Sequence, residues 1–457
     1  MTSTGKEVAY MDLDITLPLP VTRAVSVLES CGYEAYTVGG CVRDSLLGRT
    51  PNDWDITTNA TPEQMKACFG DFRVIETGIK HGTLTVIVEG MQLEITTYRN
   101  DGEYLDNRHP VQVTFSEHIE DDLSRRDFTV NAMAYHPTRG LVDLFGGRED
   151  LQAGIIRCVG NAQTRFGEDG LRILRAVRFA AVLDFAIDAD TAAAIHSCRH
   201  LLSGIAAERI REEFCKLICG RGAERILREY IDVIGIFLPE LLSCVGFEQN
   251  TKYHCYDVFE HTLHALALCS NDDLITRLGI LLHDIGKPLC YTEDEQGGHF
   301  KGHAPAGVAI TEELLWRLRF DGNTVHRLKL LVELHDIPLS AEKKAVKRLL
   351  QRLSEADILR LLEIKRCDRL AHAKDFQELS PELKKIPETI EQLRAEDACF
   401  TLKKMAVSGT DLMHIGIPEG KEIGRALQSL LEDVIEERLP NEKNVLLQAA
   451  KERIIKR

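Results

Sequence analysis

Tyr36–Thr58 reads YTVGGCVRDSLLGRTPNDWDITT. The pair Gly39-Gly40 leads into a short amphipathic stretch, Cys41–Leu47, whose Val42, Leu46 and Leu47 fit one helical face. Glycines let backbone amides approach an anion, and a helix N-terminus favours negative charge. Gly40 and Arg43 therefore stand where a triphosphate would be met. A turn follows, and then Asp53 and Asp55, one residue apart. In a strand alternate residues share a face, so Asp53, Asp55 and Thr57 point one way while Trp54 and Ile56 enter the core. Two carboxylates this close repel each other, and a cation relieves the repulsion. Hard oxygen ligands suit Mg²⁺. With two such ions, one activates an attacking hydroxyl and the other holds a triphosphate, so nucleotidyl transfer is the first expectation.

A third carboxylate is usually wanted. In Met91-Gln92-Leu93-Glu94-Ile95 the apolar residues alternate with Gln92 and Glu94. Glu94 thus lies on the polar face of its strand, either joining the aspartates or standing as an ordinary glutamate on an edge strand; the alternation fits both equally. Strand signals (AYTVGG, TLTVIVEG, LEITTYR, VQVTF, AMAYHP) fill the first third, and helical periodicity takes over beyond about residue 165. The pattern predicts an α+β chain: a mixed sheet with helices, then an all-α body.

Composition sets broad limits. The 457 residues carry a net charge of −15, which by itself argues against nucleic-acid binding, although a local basic groove governs phosphate contact. Candidate basic clusters are Arg172/Arg175/Arg178, Lys343–Arg348 and Lys403-Lys404; the last two read equally well as solvated helix faces. No apolar run approaches the ~20 residues of a membrane span. MTSTGKEVAYMDLD lacks the basic and apolar parts of a signal peptide. Thirteen cysteines without a CxxC pair fit reduced thiols, so a cytoplasmic location is expected.

The ordered motifs GGxVRD and LLGRxxxDxD, Arg125-Arg126-Asp127-Phe128-Thr129, Asp143-Leu144-Phe145-Gly146-Gly147, Glu168-Asp169-Gly170-Leu171-Arg172, Glu208-Arg209-Ile210 and Gly409-Thr410-Asp411-Leu412 resemble the class II tRNA nucleotidyltransferases, the CCA-adding enzymes of the polymerase-β-like superfamily. The resemblance covers nearly the whole chain. It implies that Asp53 and Asp55 bind Mg²⁺ with help from Glu94, and that Gly40 and Arg43 contact the incoming nucleotide. Arg126 would support its ribose or triphosphate, with Arg125 not cleanly excluded. Asp169 and Arg172 would read the base, with Arg175 and Arg178 nearby. Cytosine and adenine each set an amino donor beside a ring-nitrogen acceptor, so one Asp/Arg pair can select both without a template. Three residues apart on a predicted helix, Asp169 and Arg172 are neighbours; elsewhere such a pair would be a plain surface salt bridge. The charged segment Tyr98–Pro110 resembles the loop retained by enzymes that add the terminal A.

Further on, His261, His283-Asp284 and Asp368 resemble the H…HD…D pattern of HD-family phosphohydrolases, with His303 and His335 between them. His and Asp together suit a divalent transition metal or Mg²⁺. Lys287 would touch phosphate. The implied organisation is a nucleotidyltransferase head over 15–160, nucleotide-selecting, RNA-binding neck helices over 161–222, a helical body over 223–394 with the HD domain at about 254–375, and a tRNA-binding helical tail over 395–457. Expected partners are tRNA, ATP and CTP, with no membrane. Three alternatives remain: a poly(A) polymerase, an RNA-binding protein with an inactive head, and an HD phosphohydrolase whose head only recognises RNA. Poly(A) polymerases characteristically carry Gly-Arg-Arg-Phe-Arg where this chain has Thr77–Thr83, TGIKHGT. The intact Asp53, Asp55 and RRDFT argue against the other two.

Overall fold

A computed structural model describes residues 10–11, 15–76, 78–79, 82–101 and 113–455. Most of the loop Tyr98–Pro110 lies outside the described residues, as do Thr77, Lys80 and His81 of the stretch compared with poly(A) polymerases and both chain ends. The chain forms two compact units, Met1–Pro239 and Glu240–Arg457.

The first unit is built on an eight-stranded mixed sheet. Its strands are β1 (Tyr10–Met11), β2 (Ala35–Val38), β3 (Asp55–Thr58), β4 (Arg73–Ile75), β5 (Thr83–Val88) and β6 (Met91–Thr97). After a separate ribbon of β7 (Arg99–Asp101) and β8 (Val113–Phe115), β9 (Met133–His136) and β10 (Gly140–Asp143) complete it. The order across the sheet is β1-β10-β9-β2-β3-β6-β5-β4. Only β3 and β6 run parallel among its described pairs. Val113–Phe115, the described part of the expected strand VQVTF, thus falls in the ribbon, not the sheet.

The β5–β6 hairpin turns on Glu89-Gly90, both at positive φ (50° and 85°). That is the mirror-image turn whose twist matches antiparallel strands, and glycine accepts it without a Cβ clash. It fixes Val88 opposite Met91 and hence Glu94 opposite Thr85. Leu84, Val86, Leu93 and Ile95 are fully buried, so the opposite face of β6 carries Glu94 outward. Helix Leu19–Ser30 closes the apolar side with Val21, Ala24, Val25 and Leu28. Beyond the sheet, helix Leu171–Leu183 packs on helix Ala207–Ile218.

In the second unit, helices Val258–Ala267, Leu274–Leu282, His303–Arg317, Gly322–Leu334 and Glu355–Leu370 pack together. Helix Leu274–Leu282 is buried from Ile275 to Leu282, the mark of a central helix. A Cβ on Gly279 would lie 2.5 Å from Ile364 Cδ1, and one on Gly286 would lie 2.2 Å from the His303 carbonyl oxygen. Only glycine permits these close approaches, which draw the helices carrying Asp368 and His303 against the end that carries His283 and Asp284. The last helices keep their own core of Leu412, Leu430, Leu431 and Leu446. Two basic clusters are matched by acids: Lys343 pairs with Glu396 at 2.5 Å, Lys347 with Glu437 at 3.3 Å, Arg348 with Glu436, and Lys404 with Asp397 at 2.6 Å.

Candidate functional site

The parallel pairing of β3 with β6 sets Asp55 directly beside Glu94. β6 lies between β3 and β5, so Glu94 is not on an edge strand. β3 begins at Asp55, and Asp53 is exposed just before it. Trp54 and Ile56 do enter the core, at 6% and 1% exposure. The three carboxyls share one field. Burial pushes Asp55 up to about 6; Arg126 opposes that rise, while Asp53 and Glu94 add to it. An all-oxygen set whose central carboxyl resists ionisation fits a hard divalent cation, which would restore its charge.

Arg126 reaches this group past Gly39. Gly39 adopts φ 82°, ψ −128°, and a Cβ there would lie 2.9 Å from Arg126 Nη1. Arg126 Nη2 donates to Asp122 Oδ2 at 3.0 Å, and its buried Nε has no hydrogen-bond partner. Arg125 instead donates through Nε and Nη2 to Asp122 Oδ1 at 3.0 and 2.5 Å. Asp122 is fully buried and also accepts from Thr57 Oγ1 at 3.2 Å. Burial acts to raise its carboxyl, yet Arg126 and Arg125 hold it below the usual range. Nothing around Asp122 in the sequence marks it; its role appears only when β3 and helix Ile119–Ser124 meet.

Arg43 is the fourth residue of helix Gly40–Leu46 and is buried. It donates to Asn131 Oδ1 at 2.7 Å and to both Asp44 oxygens at 2.8 and 2.9 Å. Its guanidinium lies 5.1 Å from the Phe179 ring centroid; those of Arg175 and Arg178 lie at 5.4 and 3.5 Å. One buried aromatic ring thus gathers three arginines, through cation–π attraction. Arg175 donates through Nε and Nη2 to Asp127 Oδ2 at 2.8 and 2.6 Å. Burial alone would raise Asp127, but Arg175, Asn131 and the Phe128 amide hold it at about 2. Arg178 donates to Glu213 Oε2 at 2.8 Å.

Asp169 and Arg172 are not on one helix. Helix Ala162–Glu168 ends at Asp169, which is extended (φ −139°, ψ 105°), and the next helix starts at Leu171. Glycine's low helix propensity at Gly170 favours this break. Nor do they form the surface salt bridge with each other: Asp169 accepts from the Leu171 amide at 3.0 Å and from Arg209 Nη2 at 3.1 Å. Arg172 pairs with Glu168 and donates to the Arg125 carbonyl at 3.1 Å. Arg209, noted in the sequence only as part of a motif, is what aims the Asp169 carboxylate.

In the second unit His261, His283, Asp284 and Asp368 offer ligand atoms all within 4.8 Å of one another. His261 Nε2 is 3.0 Å from Asp368 Oδ1, and His283 Nε2 is 3.1 Å from Asp284 Oδ2 without hydrogen-bond alignment. Burial pulls His283 down, but Asp284 and Asp368 outweigh it and carry it up to about 10; both aspartates lie well below their ordinary values despite burial. Two carboxylates converging on buried imidazoles mark a place a cation would suit. Lys287 Nζ lies 2.7 Å from Asp284 Oδ2.

Residues 35–157 match the family model "Poly A polymerase head domain". Residues 184–242 match "Probable RNA and SrmB- binding site of polymerase A", and residues 312–450 match "tRNA nucleotidyltransferase domain 2". The crystal structure of the Bacillus stearothermophilus CCA-adding enzyme in complex with CTP is 30% identical, with a TM-score of 0.73 over 96% of this chain and 97% of that one. The chain belongs to the CCA-adding enzyme family.

The CCA-adding enzyme of Ligilactobacillus salivarius is 42% identical over 262 residues, 53% of this chain and 64% of the relative. That of Leuconostoc mesenteroides is 48% identical over 235 residues, 50% and 58% of the two chains. The chain spans between half and two thirds of the length of these curated CCA-adding relatives. The Thermotoga maritima CCA-adding enzyme complexed with tRNA shares the fold, at 20% identity and a TM-score of 0.55 over 95% of this chain and 94% of that one. As in the sequence reading of a CCA-adding enzyme, a mixed α/β head precedes a helical body. No helix among the described residues is long and apolar enough to cross a membrane.

Proposed function

We propose that the chain adds CCA, or its terminal A, to the 3′ end of tRNA from CTP and ATP without a nucleic-acid template, acting in the cytoplasm. The observation that carries this reading is the Asp55–Glu94 pairing, with Asp53 beside it and Arg126 facing it across Gly39. Asp53, Asp55 and Glu94 would hold Mg²⁺, which supplies activation of the tRNA 3′-hydroxyl and neutralises the triphosphate. Gly40 and Arg43 stand at the triphosphate, Arg126 at its ribose or phosphates. Asp169, steadied by Arg209, accepts from the amino group of C or A, and Arg172 donates to the neighbouring ring nitrogen. Uracil and guanine present the opposite polarity on that edge and are refused. Arg175 and Arg178, tied to Asp127 and Glu213 around Phe179, hold the selecting helix in register.

The test is incubation with tRNA lacking its 3′ end, Mg²⁺, and CTP and ATP singly and together. Growth by CCA and then arrest supports the reading. Long A tails would instead indicate a poly(A) polymerase, and no extension a head that only binds RNA.

The convergence of His261, His283, Asp284 and Asp368 favours a second activity, hydrolysis of a phosphate ester at the RNA 3′ end. These four residues would hold a divalent ion, a transition metal or Mg²⁺, and Lys287 would meet the phosphate. Hydrolysis of a 2′,3′-cyclic phosphate that survives Asp53→Ala but fails in His283→Ala/Asp284→Ala supports it; loss in the first variant, or survival in the second, refutes it.

A further inference from the structure

We propose that Cys269 and Cys367 form a redox-sensitive dithiol, which a hydroperoxide closes to a disulfide between the loop after helix Val258–Ala267 and helix Glu355–Leu370. The proposal is independent of both activities above. Though distant in sequence, the two Sγ atoms and a Glu363 carboxylate oxygen all lie within 4.8 Å of one another. Both thiols are free. A disulfide is about 2.05 Å long, so the sulfurs must close by under ~3 Å. Rotation about the Cα–Cβ bonds, from one staggered position to the next, supplies a movement of that size.

The loop is fastened so that Cys269 stands over its partner. Arg366 Nη2 donates to the Leu268 carbonyl at 2.6 Å, and the Ser270 amide and hydroxyl each donate to Glu363 Oε1 at 2.8 Å. The residues on either side of Cys269 are thus tied to the helix that carries Cys367. Arg366 also donates to both Glu363 oxygens at 2.7 Å, and its Nη2 donates to Cys367 Sγ at 3.5 Å. Further along the loop, Arg277 Nη1 donates to the Asn271 carbonyl at 3.2 Å. Guanidinium groups beside a half-buried thiol favour its thiolate, the nucleophilic form. A hydrogen bond from Cys367, helped by the Asn271 backbone and Arg277, outweighs burial and brings the Cys269 thiol down to about 7.

Access sets the order of events. Cys269 is half-buried and within reach of solvent, whereas Cys367 is fully buried. The Cys269 sulfur attacks a peroxide oxygen; an S–O bond forms, the O–O bond breaks, and water or an alcohol leaves with the thiol proton. The Cys367 sulfur then attacks the Cys269 sulfur; the S–S bond forms, the S–O bond breaks, and hydroxide leaves as water with the Cys367 proton. The two thiols give up two electrons and the hydroperoxide takes them. Closing the disulfide keeps Cys269 from passing on to the irreversible sulfinic acid. In a reducing compartment such a bond is transient and suits sensing or protection.

The experiment treats the folded full chain with hydrogen peroxide, blocks the remaining thiols with iodoacetamide and maps the digest by mass spectrometry. A linked Cys269–Cys367 peptide that separates on adding dithiothreitol is expected. In Cys367→Ser, Cys269 should instead trap dimedone as a sulfenic acid and, without dimedone, pass to the sulfinic acid, from which dithiothreitol recovers no thiol. In Cys269→Ser, Cys367 should stay reduced. Absence of the linked peptide in the parent overturns the proposal. Oxidation of Cys367 in Cys269→Ser, or full recovery of the Cys269 thiol in Cys367→Ser, overturns the roles assigned to the two sulfurs. The parent and Cys269→Ser results decide the matter even if the change at buried Cys367 prevents folding.

Discussion

Replacing Asp127 with Asn removes one charge from the head while keeping its shape. The side chain is 9% exposed and takes both guanidinium bonds of Arg175 on a single oxygen. Its carboxyl stands at about 2 rather than 3.8, a gap worth about 2.5 kcal/mol of native-state stability at ~1.4 kcal/mol per pH unit. A carboxyl lowered by folding stabilises fully above its unfolded value of 3.8. That contribution fades as pH falls through 3.8 toward about 2. Asp127→Asn should therefore cost about 2.5 kcal/mol at pH 7 and only about 1.3 kcal/mol at pH 3 relative to the parent. Arg175 would be left with Glu213 at 3.8 Å. The assay is urea unfolding followed by fluorescence in a Trp316→Phe background. The buried Trp54 then reports the first unit alone, the chain's two tryptophans lying in different units. A cost under 0.5 kcal/mol at pH 7, which is within the range of ordinary surface substitutions, would refute the reasoning. So would a cost that stays the same at pH 3.

Asp53→Ala should lower kcat for CTP and ATP incorporation by about 10²-fold or more while tRNA affinity, read by filter binding, changes little. Asp169→Ala should reduce discrimination against UTP and GTP by ~1–3 kcal/mol, and Arg209→Ala should do the same in part because it leaves Asp169 unaimed; misincorporation assays with each single nucleotide read both. Gly39→Ala should destabilise the first unit by ~1–3 kcal/mol, because φ 82° with ψ −128° is open almost only to glycine and the new Cβ would meet Arg126 at 2.9 Å. Denaturation of the variant against the parent measures it, and a native-like midpoint would be the contrary result.

Local pattern alone determined a good deal of this protein. Alternation in TLTVIVEGMQLEITT placed Glu94 on a polar face and Leu93 and Ile95 in the core, because a strand's period of two is written in consecutive residues. His261, His283, Asp284 and Asp368 were singled out by their resemblance to the H…HD…D pattern, and the fold brings their ligand atoms within 4.8 Å of one another. Which strand lies beside which is not local. The sequence left Glu94 open between a ligand and an edge residue, and only the parallel pairing of β3 with β6 set it next to Asp55. The break at Asp169 was missed because the helical pattern reads through Gly170, while the Arg209 bond that fixes Asp169 spans 40 residues. Asp122 beneath Arg125 and Arg126, Phe179 among three arginines, and Asp284 between two pairs of histidines likewise depend on helices meeting. Charge and hydrogen bonding act through space over a few ångströms, and only the folded chain brings those residues that close.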